Sequence, residues 1–540
     1  QGLRAIYPAF MGSRRRISGR ADYYVYFYLH ALSLLADGGT FCFITSNSWL
    51  DVDFGKDLQE FFLRYGHLKL VLDNRAKRSF AQADINTVIV LAGPPERTVE
   101  LSPKEMKQRR VHFVAFYKPY EEVLSAVVFS EIEDMSSRRS LYKSLGYFRV
   151  LVRPEFRSVR WDQWSLFQEG AQQEKQAQTA ETASYQGNKW GGKYLRAPDI
   201  FFTILEKGKG KLVRLGDIAE VRRGFTTGAN EFFYLEPVGQ TVKEVAELAR
   251  RRPRAPVEVR NGAGWQGRIE AAWLRPVIKS PREIRTLRVR LEDLRYLVFM
   301  PPEDVRQAIA KGNRQPWRGY PLAAAYIRWG EREGYQRRRT CASRPRWWDL
   351  GTKEAAQVNC NYLVDDRMHF YFADGDVFVS DNFQELHHAD EIVTALATVP
   401  FIQILCELGG RTPFGGGLLK IQTYEVTDIL ILSPSALSSS ACKRLFSVFK
   451  RMVKQEINSI FEELGFSLCR QRRCGHPEHP YEFVEPEALT LEQVQRASPD
   501  RFELDAVVFD VLGLNQQERL EVYRAVVQLV KDRLVRARNV

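Results

Sequence analysis

Apolar residues recur at Tyr24, Phe27, Tyr28, Ala31, Leu34 and Leu35, a helical spacing that predicts a helix over residues 22–35 with Asp22 as its N-cap. The turn ADGG (36–39) ends it. Residues 40–45, TFCFIT, are nearly continuously apolar, the pattern of a strand buried on both faces. A polar loop beginning SNSWL leads into a second amphipathic helix. LKLVLD (68–73), TVIVLAG (87–93) and VHFVAFY (111–117) then supply three more strands. This order predicts half of an α/β sheet in residues 1–160.

The pattern changes twice further on. Residues 168–188 hold almost no large apolar side chains, so 161–188 is read as a linker or mobile insertion. From 189 to 435 short β-like runs alternate with Gly and Asn, as in an α+β domain with hairpins. RRGFTTGANEFFYL (222–235) fits such a hairpin, with DIAEVRR turned by Gly224 and Gly228 into EFFYL. Residues 436–540 return to helical periodicity.

Charge sharpens this picture. The 540 residues carry a net +13, and the window 251–350 alone holds 23 Lys and Arg against 10 Asp and Glu, the whole of the excess. Basic residues with Trp and Tyr interleaved point to a polyanion partner; a solvated basic face is the alternative. Seven scattered cysteines argue for reduced thiols rather than a disulfide framework. No apolar run reaches 18 residues and no signal peptide is visible, so a cytoplasmic protein with no membrane partner is expected. The opening QGLRAIYPAF lacks an initiator Met and reads as a piece of a longer chain.

With these motifs in order, residues 21–91 resemble the second half of the catalytic domain of adenine-N6 DNA methyltransferases of the type IIG restriction-modification class. The resemblance rests on Gly38, Gly39, Asn47, Ser48 and Trp49, and on Phe80, Asn86 and Thr87. It implies that Asn47, Ser48 and Trp49 wall a target-base pocket and that Phe80 stacks on a flipped adenine. Residues just beyond a strand's carboxyl end are where ligands bind in an open parallel sheet, and a base modified in a duplex must leave the stack. Taken singly, Phe80 also reads as core and Asn47 as a helix cap. The resemblance further implies S-adenosylmethionine as cofactor. Its glycine-rich loop and the Asn-Pro-Pro-Tyr motif are not found; LAGPPERTV has the prolines without the Asn, so no catalytic residue is assigned. A nuclease would need Asp with Glu-x-Lys; Asp199 and Glu206 are followed by Gly208, and the set fails.

Residues 189–435 are similar to the TaqI-like C-terminal specificity domain of such enzymes, which recognises the DNA sequence, and the closing helices also look like those of type IIG enzymes. The implied fold is a partial Rossmann-like α/β methyltransferase sheet, an α+β DNA-specificity domain and a C-terminal helical region. Candidate DNA-binding residues are Arg222, Arg223, Thr226, Thr227 and Asn230, then Arg337, Arg338, Arg339, Arg344 and Arg346 with Trp347. Cys469, Cys474, His476 and His479 form a weak zinc candidate against the reading of no metal. Two functions follow: the C-terminal portion of an adenine-specific methyltransferase acting on double-stranded DNA, or a non-catalytic recognition subunit docking on a separate methyltransferase or nuclease chain. An RNA methyltransferase is a third.

Overall fold

The computed structural model describes all residues except 1, 13–16, 77–78, 81–84, 135–138, 141–148, 172–184, 314, 412–416, 469–480, 482 and 539–540. The zinc candidate Cys469, Cys474, His476 and His479 lies outside the described residues, as does most of the expected linker. Among the described residues no cluster of His, Cys, Asp and Glu could hold a metal ion.

The first region is one seven-stranded sheet: β1 (Phe41–Ser46), β2 (His67–Asn74), β3 (Thr87–Gly93), β4 (Arg110–Phe116), β5 (Arg139–Ser140), β6 (Arg149–Val152) and β7 (Phe156–Asp162), in the order β1-β3-β2-β4-β7-β6-β5. Only β2 and β4 pair in parallel; every other neighbour is antiparallel. The sheet is therefore mixed, not the parallel one expected. Because β3 runs against both β1 and β2, these two and β4 still point the same way. The residues after β1 and after β2 thus emerge at one end of the sheet.

β1 departs from its predicted double burial. It is an edge strand in which Phe41 is buried and Cys42 and Ile44 are exposed. The helix Tyr23–Leu32 starts at Asp22, whose carboxylate accepts the Tyr23 N–H at 2.7 Å. Its buried stripe is Val25, Tyr28, Leu29 and Leu32, one step round from the predicted one, and Tyr23, Phe27 and the following Leu34 face outward. The expected linker also begins too early. Residues 163–170 form the helix Gln163–Gly170, which buries Leu166 and Phe167, and Tyr185 stacks on Phe167 at 5.6 Å.

The second region holds a six-stranded and a five-stranded sheet. Helices pack an aromatic core against them: Phe232 stacks on Tyr326 at 4.5 Å and meets Trp347 at 4.7 Å, while Trp273 packs against Trp317 and Trp348. The chain ends in helices, among them Ser439–Met452, Pro499–Leu512 and Gln516–Arg538. No single described helix is long and apolar enough to cross a membrane. The two apolar helices Glu391–Ala397 and Pro400–Gly409, bent by 72°, are buried inside the protein.

A network of buried charges ties these regions together. Asp51 of the first sheet's loop pairs with Arg196 at 3.0 Å and accepts the Gly192 N–H at 2.9 Å. Arg367 pairs with Glu463, which also meets Arg501 at 3.4 Å, and Arg501 lies 3.5 Å from Asp505. Glu407 pairs with Arg533 of the last helix at 2.8 Å, with both side chains more than nine-tenths buried.

Candidate functional site

At the end of the sheet where β1 and β2 finish, a cleft of about 370 Å³ opens. Its first wall is the loop after β1: Ser46, Asn47, Ser48, Asp51 and Val52. The loop turns sharply because the Ser46 hydroxyl accepts the Ser48 N–H at 3.3 Å and lies 2.9 Å from the Ser48 hydroxyl. The Asn47 N–H donates to the Asn86 carbonyl at 2.9 Å, which holds this loop to the approach to β3. Ile85, Asn86, Asp73 and Arg75 continue the wall.

The opposite wall comes from far along the chain. Glu407, Gly410, Arg411, Gly417 and Leu419 contribute from the second region, and Leu529, Asp532, Arg533 and Ala537 from the last helix. Sequence reasoning placed this helix but not its part in the cleft. Its signal was present in the i, i+3, i+4, i+8 spacing of Leu529, Asp532, Arg533 and Ala537, one helix face that carries charge beside apolar residues.

Charges around the cleft are mostly neutralised. Arg75 meets Asp532 at 3.4 Å, Arg533 meets Glu407, Arg196 meets Asp51, and Arg411 meets Glu425 at 3.6 Å. Beyond these pairs the lining holds the carboxylates of Asp22 and Asp73 and a set of neutral polar residues, Asn47, Asn86 and Ser48. Amides both donate and accept, which suits the edge of an uncharged heterocycle better than an anion.

The sequence-predicted pocket residues divide. Asn47 and Ser48 line the cleft. Trp49 does not: it is fully buried between Tyr28, Phe62 and Trp190, at ring distances of 5.8–6.0 Å, and belongs to the core. Phe80 is 49% exposed and lies outside the cleft lining, close in the chain to Ile85 and Asn86. The Pro94-Pro95 pair follows β3, whose last residue Gly93 is registered with His67 at the start of β2. These prolines sit at the other end of the sheet and cannot serve the cleft. Among the described residues no glycine-rich turn follows a strand of this sheet.

The candidate DNA-binding residues divide as well. The expected hairpin is absent: Glu220–Arg223 pairs with Phe383–His387, and residues 230–233 form a helical turn before Tyr234–Pro237 joins the other sheet. Gly224 is required by close approach, since a Cβ there would meet the Ser380 carbonyl oxygen at 2.1 Å. Gly228 is required by its φ of 76°. Thr227 is buried, donating to the Asn230 side chain and accepting the Ala229 N–H at 3.2 Å, so it is a structural residue. Thr226 is exposed and donates to Asp381 at 2.8 Å.

Most of the predicted arginines are occupied. Arg222 pairs with Glu220 at 2.6 Å, Arg338 with Glu231 at 2.9 Å and Arg346 with Asp349 at 3.0 Å. Arg344 donates to the Thr226 carbonyl at 2.7 Å. Trp347, expected to meet nucleic acid, is buried against Phe232. Arg337 and Arg339 are exposed with no ion pair among the described residues. Arg223 lies flat over Tyr362, 3.8 Å from the ring centre, and its Nε donates to the Asp381 carbonyl at 3.1 Å.

Two stretches of the chain match known families. Residues 9–80 match the Eco57I restriction-modification methylase family, and residues 311–465 match the C-terminal domain of the type II methyltransferase M.Eco57I. No curated protein matches the chain. Similar solved structures include the type IIG restriction endonuclease BpuSI, at 12% identity and a TM-score of 0.31 over 92% of this chain and 50% of that one. They also include the type IIL restriction-modification enzyme MmeI in complex with DNA, at 10% identity and a TM-score of 0.44 over 98% of this chain and 55% of that one. The chain thus spans about half the length of each.

Proposed function

We propose, from the premise that this chain carries Eco57I-type methylase segments at residues 9–80 and 311–465, that it serves sequence-specific adenine-N6 methylation of duplex DNA in a restriction-modification system. The observation that carries this reading is the cleft at the carboxyl ends of β1 and β2, where Asn47, Ser48 and Asn86 converge. A base turned out of a duplex needs a shaped recess with hydrogen-bonding groups for its edge. In this reading Asn47 and Ser48 hold the base edge, Phe80 offers a face for stacking, and the second region grips the duplex. The last helix contributes the opposite wall of the recess through Leu529, Asp532, Arg533 and Ala537.

S-adenosylmethionine would supply the methyl group, and no loop to hold it is found among the described residues. The docking edge for a polypeptide that brings it is β1, whose outer backbone groups have no strand partner among the described residues. Tyr23, Phe27, Leu34 and Ile44 expose apolar surface beside it. That edge equally favours the second reading, a recognition subunit whose methyltransferase partner is a separate chain.

The test is to present the 540-residue chain with duplex DNA, RNA of the same sequence and labelled S-adenosylmethionine. Salt-sensitive binding that prefers duplex DNA, without methyl transfer, is expected. Equal preference for RNA would sink the substrate assignment, and methylation by the chain unaided would remove the need for a partner.

A further inference from the structure

The basic window 251–350 suggested where nucleic acid is gripped, but many of its arginines are spent on neighbouring carboxylates: Arg260 and Arg295 on Glu236, Arg288 on Asp374, Arg306 on Glu303, Arg338 on Glu231 and Arg346 on Asp349. A different set of cations is left uncommitted. Arg223, Lys279 and Lys420 have no carboxylate within ion-pair distance among the described residues, and each is held against an aromatic ring. Arg223 lies 3.8 Å and Lys420 5.3 Å from the centre of the buried Tyr362 ring, and Lys279 lies 5.4 Å from Tyr234 and 4.9 Å from Tyr296.

These three cations are organised around one turn, residues 380–382. The Asp381 carbonyl accepts the Arg223 Nε–H, the Lys279 carbonyl accepts the Ser380 hydroxyl at 2.7 Å and the Asn382 amide at 3.1 Å, and the Tyr362 N–H donates to the Asn382 carbonyl at 2.9 Å. The acidic groups nearby are Asp381, which accepts Thr226, and Glu283, a half-buried carboxyl near Lys279. At the other side Lys420 exchanges backbone hydrogen bonds with Arg411, at 2.6 and 3.1 Å, and Arg411 lines the cleft.

We infer that Arg223, Lys279 and Lys420 form a phosphate-gripping ridge that carries a nucleic-acid strand from the face of the second region to the cleft. This rests on the functional reading above. The physical case is preorganisation. A cation laid on a ring has already lost its rotamer freedom in folding, so gripping a phosphate costs less than it does for a free surface lysine. In Arg223 the Nε–H is committed inward to a carbonyl, so the terminal guanidinium nitrogens are the ones left to grip a phosphate. Position adds the rest: Lys420 is bonded through its backbone to Arg411, which lines the cleft.

The experiment measures duplex binding by fluorescence anisotropy across a potassium chloride series, using the full chain and a 30-base-pair duplex. Each lost phosphate contact lowers the log–log salt slope by about 0.9, so the triple variant Arg223→Met, Lys279→Met, Lys420→Met is expected to lose about 2.7. Lys420→Met alone should lose about 0.9, which keeps the test open if the triple variant folds poorly, and Arg223→Lys should retain the native slope. Unchanged slopes in natively folded variants, while the native chain binds, would overturn the ridge and leave the functional reading standing. A native chain that binds no duplex would overturn both.

Discussion

Removing Arg533 exposes how far the cleft depends on one buried ion pair. The guanidinium of Arg533 meets Glu407 at 2.8 Å and donates to the carbonyls of Gly417 and Asp365. With Arg533→Met, Glu407 remains buried with a single neutral partner, Gln403, whose amide donates at 2.7 Å. An uncompensated charge at such a site costs roughly 3–5 kcal/mol, whereas replacing both partners by apolar residues is often near neutral. The chain has several packed regions and is not expected to unfold in one step. The appropriate assay is therefore hydrogen exchange of the helix Gln516–Arg538. Its protection should fall by roughly two to four orders of magnitude in Arg533→Met, and most of that loss should be recovered in the double variant Arg533→Met, Glu407→Leu. If the single variant changes protection less than tenfold, the pair is solvated and the helix is held by its apolar face alone.

Two further outcomes test the second region. Burial pushes the Glu385 carboxyl up to about 7, opposed by Lys353 and Arg222, with His387 at 3.4 Å. A folded value above the unfolded one means that this stability is fully present below about pH 4.5 and is lost as pH rises through 7. Relative to the native chain, Glu385→Gln should therefore gain stability progressively across that window, by about 3 kcal/mol at most, read from hydrogen exchange of the strand Phe383–His387 at a series of pH values; a pH-independent difference would refute it. Thr227→Ala should destabilise by about 1–2 kcal/mol through lost buried hydrogen bonds, while Thr226→Ala at the exposed position should cost less than about 0.5 kcal/mol; equal effects on hydrogen exchange of the strands Glu220–Arg223 and Tyr234–Pro237 would contradict the burial of Thr227.

How much of this was legible depends on whether the information was local. β2, β3 and β4 follow from their apolar runs because central strands bury both faces. β1 carries the same kind of run yet lies at an edge, and nothing in TFCFIT distinguishes the two positions. The segment 222–235 has every local sign of a hairpin, but its strand pairs with Phe383–His387, a choice made by tertiary packing that turn chemistry does not encode. Trp347 and the arginines around it gave a composition typical of nucleic-acid binding. Composition does not reveal that Phe232 claims the indole or that Glu231 and Asp349 claim the guanidiniums. Asn47 and Ser48 were legible because their place after a strand fixes them at the sheet's end; the opposite wall was not, since it arrives with residues 407–419 and 529–537.

The chain of pairs from Arg367 through Glu463 to Arg501 and Asp505 bears on where this chain could be cut and rejoined. A graft cut at residue 435 would give the incoming module a foreign Glu463 and Arg501 to match and would strand Glu407 from Arg533. The second region and the closing helices therefore move together as one unit. Exchange of the whole of 189–538 keeps those pairs together and leaves Asp51–Arg196, Arg157–Asp199, Arg75–Asp532 and Glu169–Lys193 as the seam to be matched.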